Sequence, residues 1–139
     1  MGLLAGTAIA LQTGVNAQLR VWLGNPLQSA LISFAVGTIA LALYVLPQRQ
    51  SWTLTGEGSR PWWIWTGGLL GAYVVTALIL LAPRLGASLL IALVVTGQMI
   101  TAMVLDHFGL LGFPQQRISL PRLLGGVLLI TGVILIRKY

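Results

Sequence analysis

Residues 85–105 read LGASLLIALVVTGQMITAMVL and contain no acidic or basic residue. An uncharged apolar run of about 20 residues is long enough to cross the hydrocarbon core of a bilayer as an α-helix. Other apolar runs make up most of the remaining chain, at about residues 2–21, 27–46, 62–81 and 120–136. We therefore predict a single domain over residues 1–139, an all-α integral membrane protein with about five transmembrane helices.

The composition excludes a soluble globular domain. Of the 139 residues, 57% are hydrophobic and 7% are charged, and the mean hydropathy is +0.92. A soluble domain carries about 25% charged residues, because its surface must be wetted. The chain also has no cysteine, which excludes disulfides, thiol nucleophiles and cysteine-ligated metals.

The charged residues predict how the chain inserts. The net charge is +6, but the eight basic residues stand singly or in pairs, which is typical of interfacial charges and not of a nucleic-acid-binding face. Five spans would place Arg49, Arg60, Arg117 and Arg122 on the N-terminal side, and Arg20, Arg84, Arg137 and Lys138 on the other. Orientation follows the Lys/Arg excess of short loops, and here neither side has an excess. We therefore predict insertion in both orientations and a ten-helix antiparallel homodimer about a two-fold axis in the membrane plane.

Prolines and tryptophans mark the predicted span ends. Pro26 and Pro121 suit the first turn of a helix, where the missing N–H loses no hydrogen bond. We predict a tight turn at Pro83-Arg84 and a longer loop over residues 106–119. Indole rings prefer the headgroup level, and an interfacial belt is predicted for Trp22, Trp62, Trp63 and Trp65. A binding cage formed by the last three is the alternative.

Neutral amides are the main polar groups within the spans. Gln12 and Asn16 are four residues apart and share one face of the first helix, and Gln98 lies in the middle of the fourth span. An amide without a partner in hydrocarbon costs several kcal/mol, so these side chains should point inward. They either join helices or line a solute path at the bilayer midplane. Further path candidates are Thr101, Tyr73 and Thr76.

The two acidic residues, Glu57 and Asp106, both lie away from the middle of a span. An intramembrane carboxylate is the usual proton-coupling group, so an exporter driven by a mid-membrane glutamate is not favoured. Asp106 and His107 are the remaining candidates for a proton site, at the rim of the membrane. The alternative is that both residues anchor a loop or end a helix.

Small residues at helical spacing predict close helix packing. Gly67 and Gly71 form such a face in the third span, and Ser29, Ser33 and Gly37 form one in the second. In the fifth span, Gly125 and Gly132 are seven residues apart and predict a dimer seam. Packing within one chain is the alternative for that seam.

Signatures of catalysis are absent from the sequence. The single histidine, His107, cannot build a zinc site, which needs three or four protein ligands. No serine nucleophile motif and no phosphate-binding Gly-x-x-x-x-Gly-Lys stretch occurs. We therefore expect a protein that is not an enzyme and that uses no metal and no cofactor.

The motifs also have a recognisable order. They comprise Gln12 and Asn16; Leu23-Gly24-Asn25-Pro26; Ser33-Phe34 with Gly37; Pro61-Trp62-Trp63 with Gly67-Gly68 and Gly71; Ala82-Pro83-Arg84-Leu85-Gly86; Gly97-Gln98; Asp106-His107-Phe108-Gly109; and Gly125 with Gly132. This set, which runs through nearly the whole chain, resembles the YdcZ-type inner-membrane proteins of the drug/metabolite transporter superfamily. The resemblance implies a five-span bacterial protein that works as an antiparallel pair, built from one dual-topology chain, two paralogues or a fused chain.

The fifth-span glycines are also similar to those of the dimerising helix of small multidrug resistance proteins. The first-span glutamate of those proteins has no match here, because Gln12 and Asn16 are uncharged. We therefore expect a transporter subunit of the bacterial inner (cytoplasmic) membrane that moves a small polar or aromatic solute. Its expected partners are the bilayer, the solute and a second, oppositely oriented copy, with no nucleic acid. The alternatives are a non-transporting scaffold or binding protein, a passive pore, and half of a heterodimer with an oppositely oriented paralogue.

Overall fold

A computed structural model describes residues 1–48 and 62–139. Arg49, Glu57, Arg60 and Pro61, which entered the sequence predictions, lie outside these ranges. The described ranges contain helices and no β-strand, which confirms the all-α prediction. The helices are α1 (Gly2–Leu23), α2 (Pro26–Val45), α3 (Gly67–Phe108) and α4 (Leu120–Lys138). Short 3₁₀ helices occupy Leu46–Gln48, Trp62–Thr66 and Leu110–Gly112.

The turn between α1 and α2 is encoded locally. Gly24 ends α1 in the left-handed conformation (φ 70°), which glycine adopts without steric cost, and its N–H donates to the Arg20 carbonyl at 2.8 Å. Asn25 then caps α2, because its side-chain oxygen accepts from the Leu27 N–H at 2.8 Å. Pro26 takes the first helical position. This sharp reversal sets α2 against α1.

The 42-residue helix α3 is interrupted at Gly86. Gly86 has φ 72° and ψ 167°, outside the helical region, and it separates segment 67–85 from segment 87–108. A straight helix of this length would extend about 60 Å, twice the thickness of the hydrocarbon core. The turn predicted at Pro83-Arg84 is wrong, since both residues are helical. The break falls at Gly86 because its backbone angles are open essentially to glycine alone.

Three stretches are long and apolar enough to cross a membrane, namely Pro26–Gln48, Trp62–Phe108 and Leu120–Lys138. The 22-residue α1 is long enough to do so. Its mean hydropathy is lowered by the polar residues Gln12, Asn16 and Arg20.

The described residues form two compact units, Met1–Arg84 and Leu85–Tyr139. In the first unit the buried side chains are polar as often as apolar: Thr13, Asn16 and Ser29 beside Ala30, Leu78 and Ile79. Large apolar side chains such as Leu31 and Leu43 are exposed instead. A soluble protein buries apolar side chains and exposes polar ones. The opposite distribution seen here is expected where lipid is the solvent.

We expect Gly86→Ala to lower the free energy of unfolding by about 1–3 kcal/mol, because alanine is strained at these backbone angles. Gly97→Ala is the matched control, because Gly97 is helical and a Cβ there would meet no atom within 4 Å. Unfolding of both variants by dodecyl sulfate in mixed micelles measures the difference. Equal stability of Gly86→Ala and the unaltered protein would contradict the assignment of the break to Gly86.

Candidate functional site

A cluster of polar side chains joins α1 to α2. The Asn16 Nδ2 donates to the Ser33 Oγ at 3.2 Å, and the Gln12 Nε2 approaches the same oxygen at 3.4 Å. The two amides therefore share a face of α1, as their spacing predicts, and that face lies against α2. Asn16 is 4% exposed, whereas Gln12 is exposed. One amide is thus fixed inside the pair of helices, and the other is accessible at its edge.

Two hydroxyl groups complete the buried part of the cluster. Ser29 is fully buried and donates to the Asn16 backbone carbonyl at 2.8 Å, and Thr13 donates to the Ile9 carbonyl at 2.8 Å. Each buried side-chain nitrogen or oxygen atom among the described residues has a hydrogen-bond partner. Small side chains on α2 permit this close approach. The cluster is therefore a satisfied polar interface within an otherwise apolar surface.

Segment 67–85 of α3 supplies the other wall. A cavity of about 10 Å³ lies between Gln12, Thr13 and Asn16 of α1 and Val75, Leu78 and Ile79 of α3. A volume of this size holds about one water molecule. The polar face of α1 therefore contacts α2 on one side and borders a small cavity with an apolar opposite wall on the other.

Arg20 ties the end of α1 to α3. Its Nη1 donates to the backbone carbonyl of Ile79 at 3.3 Å. In an α-helix this carbonyl would accept from the N–H of residue 83, but residue 83 is proline and has none. Arg20 thus supplies the hydrogen bond that Pro83 removes. Arg20 also follows Gln12 and Asn16 at the same four-residue spacing, so the three side chains form one row along α1.

The other path candidates are not part of this cluster. Tyr73 is 73% exposed and Thr76 is half-buried, both on segment 67–85. Gln98 and Thr101 belong to the second compact unit, where both are exposed. Of the path residues predicted from the sequence, the structure brings together Gln12 and Asn16.

The predicted packing glycines differ in their surroundings. A Cβ on Gly71 would meet the Phe34 ring of α2 at 3.4 Å, so the Phe34 side chain reaches α3 there. A Cβ on Gly67, Gly37, Gly125 or Gly132 would meet nothing within 4 Å in the described chain. Gly126 of α4 does have a neighbour in the second unit, because the Met103 sulfur lies 3.8 Å from a Cβ built there.

Asp106 and His107 lie in the last turn of α3 and hold the following loop. Asp106 forms an ion pair with Arg122 of α4 at 3.3 Å, and its carbonyl accepts from the Gln116 N–H at 2.7 Å. The His107 Nδ1 accepts from the Ile118 N–H at 3.1 Å. Arg122 also donates to the Gln116 side-chain oxygen. The Asp106 carboxylate and the His107 imidazole therefore both anchor the loop to the helix ends.

A larger cavity, of about 430 Å³, lies beside this ion pair. Its lining is mainly apolar, from Met99, Ala102, Met103, Gly125, Gly126 and Leu129, with Asp106 and Arg122 at one end. The volume is in the range of small-molecule sites. The two charged groups at its end form an ion pair with each other. The cavity could therefore recognise a ligand mainly by shape and apolar contact.

Sequence patterns did not single out Thr13, Arg20 or Arg122 as site residues, whereas Ser29 was singled out only for helix packing. A signal for Arg20 was present, because it extends the Gln12–Asn16 row by one further helical repeat. A signal for its partner was present too, since any proline within a helix leaves the carbonyl four residues earlier unpaired. Neither signal says which helices meet, so the contact itself required the structure.

Residues 1–135 match the family model described as "Putative inner membrane exporter, YdcZ". No curated protein and no solved structure gives a significant match to the chain.

We expect the Asn16 and Ser33 side chains to be energetically coupled by about 0.6 kcal/mol, the mean for hydrogen bonds between membrane helices. The double-mutant cycle of Asn16→Ala and Ser33→Ala, unfolded in mixed micelles, measures this coupling. A cycle of Thr7→Ala with Ser33→Ala is the control, because the Thr7 hydroxyl bonds the Leu3 carbonyl of its own helix. Additive effects of Asn16→Ala and Ser33→Ala would contradict the interhelical bond.

Proposed function

The chain belongs to the YdcZ family of inner-membrane proteins, and from this premise we propose that it is a small transporter subunit for a polar or aromatic solute. The observation that carries the proposal is the arrangement of Gln12, Asn16 and Ser33. Polar groups within a membrane protein mark solute paths when they exceed what helix packing needs. Here Ser33 already receives the buried Asn16 amide, and the second amide, Gln12, remains exposed at the cluster's edge.

The proposed unit is a homodimer of two oppositely oriented copies with five spans each. Segments 67–85 and 87–108 of α3 are each about 20 residues long, enough for one crossing apiece. Together with α1, α2 and α4 they would give five spans. The equal distribution of basic residues supports insertion in both orientations. A Cβ at Gly125 or Gly132 would meet no atom of the described chain within 4 Å, and we assign this face of α4 to the second copy.

In this pair, two copies of the Gln12–Asn16 face would border a central path, with Gln98, Thr101, Tyr73 and Thr76 as further lining candidates. Amide groups recognise a solute by hydrogen bonds and orientation without fixing its charge. Lipid-facing apolar side chains would cover the outside of the assembly, and the solute would meet polarity only within it. The solute would therefore contact the polar residues that line the path and not the apolar residues that face lipid.

We expect saturable uptake into proteoliposomes of at least one of three probes of similar shape: benzoate, benzamide and benzamidine. Gln12→Ala and Asn16→Ala should each lower the uptake rate about five-fold, the equivalent of one lost hydrogen bond of about 1 kcal/mol. Gln28→Ala is the matched control, because it removes an exposed amide from α2 outside the cluster. Rates unchanged by both cluster substitutions would contradict the site.

The same assay separates the transporter from its rivals. A scaffold gives no uptake, and a passive pore gives uptake that rises linearly with solute concentration. A carrier saturates and exchanges internal for external solute. Uptake of none of the probes would therefore count against the proposed function, and unsaturable uptake would replace it with a pore.

We expect Tyr139→Cys to be labelled only in part by a membrane-impermeant maleimide in sealed right-side-out vesicles, and fully after permeabilisation. The reagent has no other target because the natural chain lacks cysteine, and Tyr139 is 92% exposed. The unaltered protein is the blank, and Gly2→Cys tests the other end of the chain. Complete labelling, or none, before permeabilisation would mean a single orientation and would exclude the dual-topology homodimer.

A further inference from the structure

Arg20 carries a positive charge at the end of the polar row on α1. The guanidinium is partly buried and contacts the Ile79 carbonyl, and Ile79 also lines the 10 Å³ cavity beside Gln12 and Asn16. The charge is therefore at the rim of the proposed path. Ionisable side chains within membrane proteins are costly and mark functional sites when no structural partner accounts for their charge.

The described chain offers Arg20 no counter-ion. The ion pair found among the described residues joins Arg122 to Asp106, in the other compact unit. The full sequence has two acidic residues against eight basic ones, so carboxylate partners for the basic residues are few. A partly buried charge that lacks an opposite charge is unfavourable, and an incoming anion relieves that cost.

The hydrogen bond to the Ile79 carbonyl does not in itself require an arginine. The Ile79 carbonyl, left unpaired by Pro83, requires one donor, which a neutral amide or hydroxyl group would supply. A guanidinium has five N–H donors in a planar fork that matches a carboxylate. Its contact with Ile79 uses one nitrogen, Nη1. The remaining donors and the charge are surplus to the helix contact.

We infer that the Gln12–Asn16–Arg20 row binds a small organic anion whose carboxylate pairs with Arg20. The inference rests on the proposed function, because it assigns the solute's charged group to one end of the proposed path. The cavity beside the row has room for about one water molecule, so binding requires α1 to separate from segment 67–85 beside Gln12 and Asn16. The carboxylate then pairs with the donors of Arg20 that the Ile79 carbonyl leaves unused.

Equilibrium binding of the three probes to the full-length protein in an uncharged maltoside detergent tests the charge preference. Benzoate, benzamide and benzamidine share a ring and a planar head group and differ in charge. We expect benzoate to bind at least ten-fold more tightly than the other two, as expected when a charge-assisted hydrogen bond is added. Equal affinities, tighter binding of benzamidine or no benzoate binding would overturn the inference.

Arg20→Gln should weaken benzoate binding by about ten-fold or more, and Arg84→Gln, which removes the same charge from an exposed position, should not. Arg20→Gln also disturbs the contact with Ile79, so a second comparison is needed. Pro83→Ala supplies a backbone N–H to that carbonyl and makes the arginine dispensable for the helix. Benzoate affinity should therefore be retained in Pro83→Ala and lost in Pro83→Ala/Arg20→Gln. Equal affinity of these two variants would overturn the anion site.

A lipid phosphate is the other source of an anion at this depth. Complete displacement of benzoate by phosphatidylglycerol, but not by phosphatidylcholine, would assign Arg20 to a lipid headgroup and overturn the solute site. The outcome is separable from that of the uptake assay. Arg20-dependent benzoate binding without uptake of any probe would retain the anion site and count against transport. Uptake of benzamide or benzamidine that depends on Gln12, without benzoate binding, would support transport and overturn the anion site.

Discussion

One unpaired carbonyl constrains the arrangement of the first compact unit. In a bilayer no water is available to a backbone group that loses its partner, and each such group costs several kcal/mol. Pro83 removes the partner of the Ile79 carbonyl, and Ile79 itself is fully buried. The Arg20 side chain is the donor that meets this need. The end of α1 is therefore held against segment 67–85 by a requirement of the backbone, independent of side-chain packing.

This contact gives the polar face of α1 two different neighbours. On α2, Ser29 and Ser33 satisfy Asn16 through fixed hydrogen bonds. On segment 67–85, apart from the carbonyl of Ile79, the cavity is lined by the apolar side chains Val75, Leu78 and Ile79. The first contact is made by several hydrogen bonds, whereas the polar part of the second is a single bond from Arg20. A movement that opens the cavity therefore has fewer polar contacts to break on the α3 side.

Much of the fold was predictable because lipid imposes a simple rule on composition. Uncharged runs such as residues 85–105 can be only helices or barrel strands in a membrane, and their length decides for helices. The exact break in α3 was not predictable, because Pro83 is the more familiar helix breaker. Proline keeps a helical φ and only loses a hydrogen bond, whereas the φ of 72° and ψ of 167° at Gly86 are incompatible with a helix. The Gln12–Asn16 face followed from helical spacing, but its partner Ser33 and the role of Arg20 depend on which helices meet.

In the proposed antiparallel pair, the two-fold axis would relate Arg20 of one copy to Arg20 of the other. Arg20 lies in the last turn of α1, close to one surface of the membrane, and an inverted copy places its own Arg20 close to the opposite surface. Each mouth of the central path would then carry one guanidinium, with the neutral amides of Gln12 and Asn16 further in. An anionic solute would be attracted equally from either side and released past the same kind of group. A path of this kind has no built-in electrostatic direction, so the direction of net transport would follow the solute gradient or a coupled ion.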